Sequence, residues 1–229
     1  MNTYPVSDPY NLAPVSAELG DDMDYVRSPG ISPIRRTVSP TFGRCYVKSC
    51  DSYRDAMTEV TAYRLSKLFG VRVPKTVYIG SVDDLGPDCV LSVEAPGKVG
   101  VNTSTVCEGQ VMAAALFDIA IGNRDRHSGN YLWDGTTLTL IDHAYSMSSR
   151  ESRNGGYSVF VHRARDVRHG PGEALVRPYM DVRIGDVERA CYGLPTDVVT
   201  TVVGRIGHVR TLAKLGCWEW SIYESDCYR

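Results

Sequence analysis

The stretch from Thr105 to Ile121 constrains this chain more than any other, because it is apolar almost all round. Val106, Val111, Met112, Leu116, Phe117 and Ile119, with the run Ala113 to Ala115, leave no polar stripe. A surface helix shows one apolar face, so a helix apolar on every side reads as a buried central rod. The remaining chain has to wrap around it. The rod then stops abruptly. Gly122-Asn123-Arg124-Asp125-Arg126-His127-Ser128-Gly129-Asn130 is too polar and too glycine-broken to continue a helix. Tyr131-Leu132-Trp133, a turn at Asp134-Gly135-Thr136-Thr137, and Leu138-Thr139-Leu140-Ile141 follow, the pattern of a tight hairpin.

That hairpin has a chemical consequence. If Trp133 pairs with Leu138, Asn130 faces Ile141 at the open end and Asp142 lies one residue further on. Directly opposed Cα atoms lie about 4.5–5.5 Å apart, so an amide and a carboxylate meet at one mouth. Such oxygen ligands suit a hard cation such as Mg²⁺, which takes few protein ligands and completes its shell with phosphate oxygens. Asp125 leads into the same mouth, five residues before Asn130. An Asp, an Asn five residues on and a second Asp across a short hairpin follow the spacing logic of a kinase catalytic loop. There the first Asp orients the attacking hydroxyl, while the Asn and the second Asp hold metal. Phosphoryl transfer asks for positioning and charge neutralisation more than for covalent chemistry, so three such groups supply much of what is needed.

A bare D-x-x-x-x-N occurs by chance in many chains; the longer text is more specific. Gly122 to Asn130, followed by Leu140-Ile141-Asp142-His143-Ala144, resembles the catalytic and metal-binding motifs of the HipA-like and phosphatidylinositol 3-/4-kinase-like branch of the protein kinase superfamily. The loop of that branch reads roughly G-N-x-D-R-H-x-x-N, and its metal motif is a hydrophobic residue, Asp, His/Phe/Asn and Gly. Ala144 stands where the glycine is usual. The resemblance covers about residues 42–145 and is specific over 118–145. It implies an α+β, two-lobed protein-kinase-like fold, with a small β-rich N-lobe and a mainly helical C-lobe, binding ATP and Mg²⁺.

The first hundred residues, read for themselves, suggest a small α+β lobe. Arg44-Cys45-Tyr46-Val47-Lys48 alternates as a strand, with Tyr46 and Lys48 on one face. Asp51-Ser52 caps a helix that runs to about Phe69 and stops at Gly70. Lys75 to Ile79 and Cys89 to Val93 read as two strands around a polar turn, and Ala95-Pro96-Gly97 as a linker. Residues 25–40 read as turn-rich and 144–180 as a long loop; a helix is expected over about 197–215. The family expects a strand lysine that grips the α/β-phosphates and a helix glutamate that pairs with it. Lys48 and Glu59 match in order, with Asp55 the runner-up partner. Residues 90–97 take the place of the hinge that meets adenine, with Ser92 and Val93 the contacting pair. No G-x-G-x-x-G is present; 28–32 and Phe42-Gly43 are the candidates for the phosphate-covering loop.

Length and composition bound this reading. At 229 residues the chain holds one good-sized domain or one domain in two lobes. The expected division is an N-terminal arm over 1–22, an N-lobe over 23–97 and a C-lobe over 98–229, the last carrying the loop at 122–130 and the metal motif at 140–144. Apolar residues at 43% and charged residues at 23% are those of a globular chain. A net charge of −2 argues against a surface that coats nucleic acid. No apolar run approaches the roughly 20 residues of a membrane span, and no basic-then-apolar leader opens the chain, so a cytoplasmic protein is expected. Seven cysteines with no C-x-x-C pair read as reduced, mostly buried thiols.

Each candidate has a plainer alternative. Lys48 and Glu59, taken singly, are the surface strand lysine and solvated helix glutamate found in most proteins. Asp118, on the apolar rod, reads as a brace for the loop, because a buried carboxylate must be hydrogen-bonded. His127 either stabilises the transferring phosphate, as the matching histidine does in the lipid-kinase reading, or holds the loop. His143 reads as structural, and Arg124 and Arg126 as pins for a carboxylate. Ser146, Ser148, Ser149 and Ser152, near Arg150 and Arg153, are either phosphorylation sites that order the segment or a plain polar loop. The expected reaction is transfer of the ATP γ-phosphoryl group to a hydroxyl, that of a protein Ser/Thr including the chain's own. The alternatives are a phosphoinositide or small-molecule kinase, a nucleotidyl transferase, and a pseudokinase that binds a partner without turnover.

Overall fold

The structure is a computed structural model. It describes residues 2–8, 11–19, 24–26, 33–147, 157–167 and 169–216, the first three segments as backbone. The chain is α+β, with antiparallel sheet in its N-terminal part and helices in its C-terminal part. It divides into two compact units: Met1–Tyr63 with Pro74–Ala95, and Arg64–Val73 with Pro96–Arg229.

In the first unit, β1 (Asn2–Asp8) and β2 (Asn11–Leu19) pair antiparallel, so the stretch expected as a loose arm carries a hairpin. A five-stranded sheet follows, built from β3 (Asp24–Val26), β4 (Ile34–Ser39), β5 (Gly43–Ser49), β6 (Thr76–Val82) and β7 (Gly86–Val93) in the spatial order β3-β4-β5-β7-β6. The sequence had marked 25–40 only as turns. Its strand β4 is fixed by pairing along the whole of β5, from Ile34 opposite Lys48 to Ser39 opposite Gly43, and not by local propensity. The register fixes the two faces. Cys45, Val47, Val77, Ile79, Cys89 and Leu91 are buried together on one. Lys48 lies opposite Val90, and Tyr46 opposite Ser92, on the other.

Helix α1 (Tyr53–Phe69) begins where the Ser52 hydroxyl accepts the Asp55 N–H at 3.2 Å and donates to the Asp55 carboxylate at 2.7 Å. This reciprocal cap satisfies an amide the helix leaves open. It ends at Gly70, whose φ of +67° lets the Val71 N–H turn back to the Ser66 carbonyl.

The second unit is built on α2 (Glu108–Ile121), entered through a 3-10 turn at Thr103–Thr105. From Val111 to Ile121 every residue but Ala113 is buried, which makes α2 the expected rod, starting three residues later than its composition suggested. Each fully buried Leu or Phe on it contributes about 1.5–3 kcal/mol. Short strands β8 (Asp125–Arg126), β9 (Tyr131–Trp133) and β10 (Leu138–Leu140) follow. β9 and β10 pair with Trp133 opposite Leu138, the register expected for the hairpin. β11 (Tyr157–Ser158) then lies parallel to β8.

The region expected as one long loop contains two helices, α3 (Val159–Arg165) and α4 (Glu173–Asp181), and α5 (Ile184–Ala190) follows. Each has only two buried residues in its core face, too few to show as periodicity among so many Arg, Gly and Pro. Helix α6 (Thr196–Leu215) buries Val198, Val202, Ile206, Val209 and Leu212 at helical spacing. α3, α4 and α6 pack on α2. Phe69 stacks on Tyr179 with centroids 4.2 Å apart and meets Phe117 of α2 at 6.5 Å. Among the described residues no helix is long and apolar enough to cross a membrane.

Candidate active site

Val93 packs against the apolar cluster of the sheet, whereas Ser92 and Lys48 lie on the opposite face. Strand alternation puts Lys48 there, and its Nζ lies 2.9 Å from Oε1 of Glu59, two turns into α1. The side chains are 16% and 8% exposed, so this pair is neither a surface contact nor sealed in the core. Asp55, the runner-up, is engaged by Ser52 at the helix start. Ser92 shares a hydrogen bond with Thr76, Oγ to Oγ1 at 2.9 Å. The Val93 N–H donates to the Lys75 carbonyl, and the Glu94 N–H to that of Arg44. Both amides are thus spent inside the sheet. Glu94 is in turn held by the Tyr46 hydroxyl at 3.1 Å and Arg44 at 2.6 Å. Burial, and then the bond to Glu94, push the Tyr46 phenol above its ordinary range.

Of the two candidates for a phosphate-covering loop, 28–32 lies outside the described residues. At the other, the Thr41 and Phe42 N–H groups both donate to Ser39 Oγ at 3.3 Å, so the turn before Gly43 is closed by its own serine.

The second unit holds Asp125, His127, Asn130 and Asp142. Helix α2 ends on Gly122 at φ +62°, where the Gly122 and Asn123 N–H groups return to the Asp118 carbonyl. A Cβ at Gly122 would run into the Arg205 guanidinium of α6, which also reaches the Ile121 carbonyl. The loop therefore leaves the rod at a fixed angle. Asn130 is buried, and its Nδ2 donates to the Asp125 carbonyl at 2.6 Å and to the Asp125 carboxylate at 3.4 Å. With the nitrogen end committed to the loop, the amide oxygen is the end available to a cation. Across the mouth the Ile141 N–H donates to the Asn130 carbonyl at 3.1 Å, which sets Asp142 one peptide away. Asp142 is exposed and has φ +57°, a left-handed conformation uncommon outside glycine and found preferentially at functional positions.

Among the described residues no group of three or more His, Cys, Asp or Glu is gathered to hold a metal. One amide oxygen with one or two carboxylates is instead the sparse, hard-oxygen set that Mg²⁺ accepts when phosphate completes its shell. The residues present fit that ion.

His127 is exposed, and its Nδ1 accepts the Gly129 N–H at 3.0 Å. That bond fixes the tautomer, so Nε2 carries the proton and is a donor. A Cβ on Gly129 would lie 2.8 Å from the His127 ring, so only glycine leaves the imidazole in this position. His143 is buried, edge-on to Phe117. Ser146 is 4% exposed and closed to modification in this conformation, while Ser148, Ser149, Arg150, Ser152 and Arg153 lie outside the described residues.

Beneath the loop lies an ion pair with no exposure. Arg126 Nε and Nη2 both reach the Asp118 carboxylate, at 3.1–3.3 Å, and its Nη1 donates to the carbonyls of Asn130 and Ile141. Asp118 also accepts Asn123 Nδ2 at 3.3 Å and Ser158 Oγ at 2.7 Å. The sequence had marked Asp118 as a brace and Arg126 as a pin, but Ser158 carried no signal there. A second support leaves no local mark in the sequence. Lys98 and Trp133 exchange backbone hydrogen bonds, the Gly100 N–H donates to the Ser128 carbonyl, and the Tyr131 hydroxyl to that of Val101. Gly97 admits this strap because a Cβ there would lie 2.9 Å from the Trp133 backbone.

No family model matches the chain, and no curated protein matches it. Among solved structures it is similar to a crystal structure of a proinflammatory kinase, CtkA, of Helicobacter pylori. The identity is 9% and the TM-score 0.45, over 92% of this chain and 96% of that one. A likeness at this level leaves the function to be read from the residues themselves.

Proposed function

We propose that the chain is an ATP- and Mg²⁺-dependent phosphotransferase that passes the γ-phosphoryl group to a hydroxyl, that of a protein serine or threonine including its own, as a HipA-like regulator would. The observation that carries this reading is the Asp125–Asn130 clasp, with Asp142 one peptide beyond the carbonyl-to-amide bond that closes the hairpin. It matches the order and roles of a kinase catalytic loop followed by its metal aspartate. Independent support comes from Lys48, on the third strand of the five-stranded sheet, paired at 2.9 Å with Glu59 on the next helix. A kinase requires the same strand-lysine and helix-glutamate pairing.

The roles follow from the groups. Asn130 Oδ1 and the Asp142 carboxylate would hold Mg²⁺, which when bound with ATP neutralises charge on the phosphates. Lys48 would grip the α- and β-phosphates, and Glu59 would keep its ammonium in place. The Asp125 carboxylate would orient the acceptor hydroxyl and take its proton. His127 would offer its Nε2–H to phosphoryl oxygens as their charge develops. With the Val93 and Glu94 amides spent, the hinge reading leaves adenine to their carbonyls and the next peptide.

The test is incubation with γ-labelled ATP and Mg²⁺, wild type beside Asp142→Ala and with protein and lipid acceptors in separate arms. Label on the wild-type chain or a protein acceptor, and none with Asp142→Ala, is the expected result. Equal label on both would defeat the assignment. Nucleotide binding without transfer would point to a pseudokinase.

A further inference from the structure

Ser158 stands outside every role given so far, yet it makes three connections at once. Its backbone, with that of Tyr157, lies parallel to Asp125–Arg126. Its hydroxyl donates to Asp118 Oδ2 at 2.7 Å, and the same oxygen accepts the Val161 N–H at 3.3 Å as the N-cap of α3. Asp118, 1% exposed, passes that contact to Arg126, which is 0% exposed. Arg126 Nη1 then holds the carbonyls of Asn130 and Ile141, the residue at one side of the mouth and the residue just before Asp142 at the other.

We infer that Ser158 is a positioning residue for the metal-binding pair. Through Asp118 and Arg126 it couples the segment that follows the metal motif to the spacing of Asn130 and Asp142. The inference rests on the phosphotransferase reading, because it assigns those two residues their ligand role. The physical reason is economy of donors. A carboxylate buried this deeply must keep its acceptors filled, and Arg126 offers the same face to two carbonyls that would otherwise part. If the Ser158 hydroxyl is withdrawn, Asp118 loses its shortest contact and becomes free to re-centre on Arg126. The guanidinium then moves relative to the two carbonyls.

The capping role and the relay role can be separated by substitution. Ser158→Ala removes both the cap acceptor and the donor. Ser158→Thr keeps both. Ser158→Asp keeps a good cap acceptor for α3 but loses the donor and sets a second carboxylate against Asp118. Hydrogen exchange of the full-length protein without nucleotide is read at the Asn130 and Ile141 amides and, as a control, along α3. Mn²⁺ uptake with a non-hydrolysable ATP analogue is measured beside it by electron paramagnetic resonance.

With Ser158→Ala and Ser158→Asp, exchange at Ile141 should accelerate and Mn²⁺ affinity should fall about 5- to 20-fold. With Ser158→Thr both should stay within about twofold of wild type, and α3 should exchange normally in the Asp variant. A purely structural cap predicts instead that Asp behaves like wild type and Ala alone is impaired, and that result overturns the inference. Unchanged exchange at Ile141 in the Ala and Asp variants overturns the relay and leaves the phosphotransferase reading standing. A wild type that takes up no Mn²⁺ with the nucleotide analogue overturns the reading itself, and the positioning role with it.

Discussion

The Lys48–Glu59 pair of the first unit and the Arg126–Asp118 pair of the second are built differently. Lys48 and Glu59 meet through one short contact on side chains that keep 16% and 8% of their exposure. Arg126 and Asp118 are sealed, and the guanidinium is divided among a carboxylate and two backbone carbonyls. An ammonium on a four-carbon stem exchanges partners readily, whereas a planar fork fixed in this way does not. The first arrangement suits a lysine that must present its charge to a phosphate. The second suits a residue that never touches substrate and holds the shape of a loop.

The contrast predicts a separation of stability from activity, and its largest expected effect is on Arg126. Arg126→Met strands the Asp118 charge at a buried position. It should cost about 3–5 kcal/mol in urea unfolding, the range for breaking a buried ion pair by removing one partner. Lys48→Met should cost about 1–2 kcal/mol, since its pair is less desolvated, while γ-phosphoryl transfer falls by about 100-fold or more. Equal stability losses would erase the distinction. A Lys48 variant that keeps full transfer would remove Lys48 from the proposed chemistry.

A smaller effect tests the surface of the loop against its buried support. Gly129→Ala pushes a methyl into the His127 ring without touching Arg126 or Asp118. Transfer should drop roughly 10- to 100-fold, the scale of losses from misplacing one group at a reacting centre, with urea stability near that of wild type. Combined with His127→Ala, the glycine substitution should add little, because both act through one imidazole. Additive losses would mean that Gly129 acts through some other group.

The parts of this arrangement that were legible in the sequence are those encoded locally. Trp133 opposite Leu138 follows from turn residues and strand alternation, and that register brings Asn130 across from Ile141, next to Asp142. The buried rod follows from apolarity on every side, and the α1 boundaries from Ser52 and Gly70. The illegible parts rest on tertiary pairing. β4 exists through its register with β5, and α3 through Ser158 and two buried residues. Ser158 itself meets Asp118 from forty positions away, a contact no local pattern announces. Val93 was expected among the backbone contacts to adenine, and only the sheet reveals that the Lys75 carbonyl already takes its N–H.

The last difference between the units is in their thiols, and it is silent at neutral pH. Cys45, Cys50 and Cys89 are buried in the first unit and Cys191 in the second, while Cys107 is exposed. Burial pushes Cys45 from 9.0 to about 11 and Cys50 and Cys191 to about 12, and it raises Cys89 as well. A thiol with a raised folded-state pKa holds its proton where the unfolded chain has already released it. The stability it contributes is complete below about pH 9 and is lost as pH rises toward 11 and 12. Unfolding free energy should therefore be level up to about pH 9 and then decline, by at most about 1.4 kcal/mol per pH unit for each thiol. Among the described residues three such thiols lie in the first unit and one in the second, so the first should lose its hydrogen-exchange protection before the second as pH climbs. Cys50→Ala should flatten the decline in the first unit alone. If the two units lose protection together, or Cys50→Ala leaves the slope unchanged, buried thiols do not set the alkaline limit. At pH 8 a thiol reagent should label Cys107 well ahead of the four buried cysteines, as mass spectrometry of the labelled peptides would show.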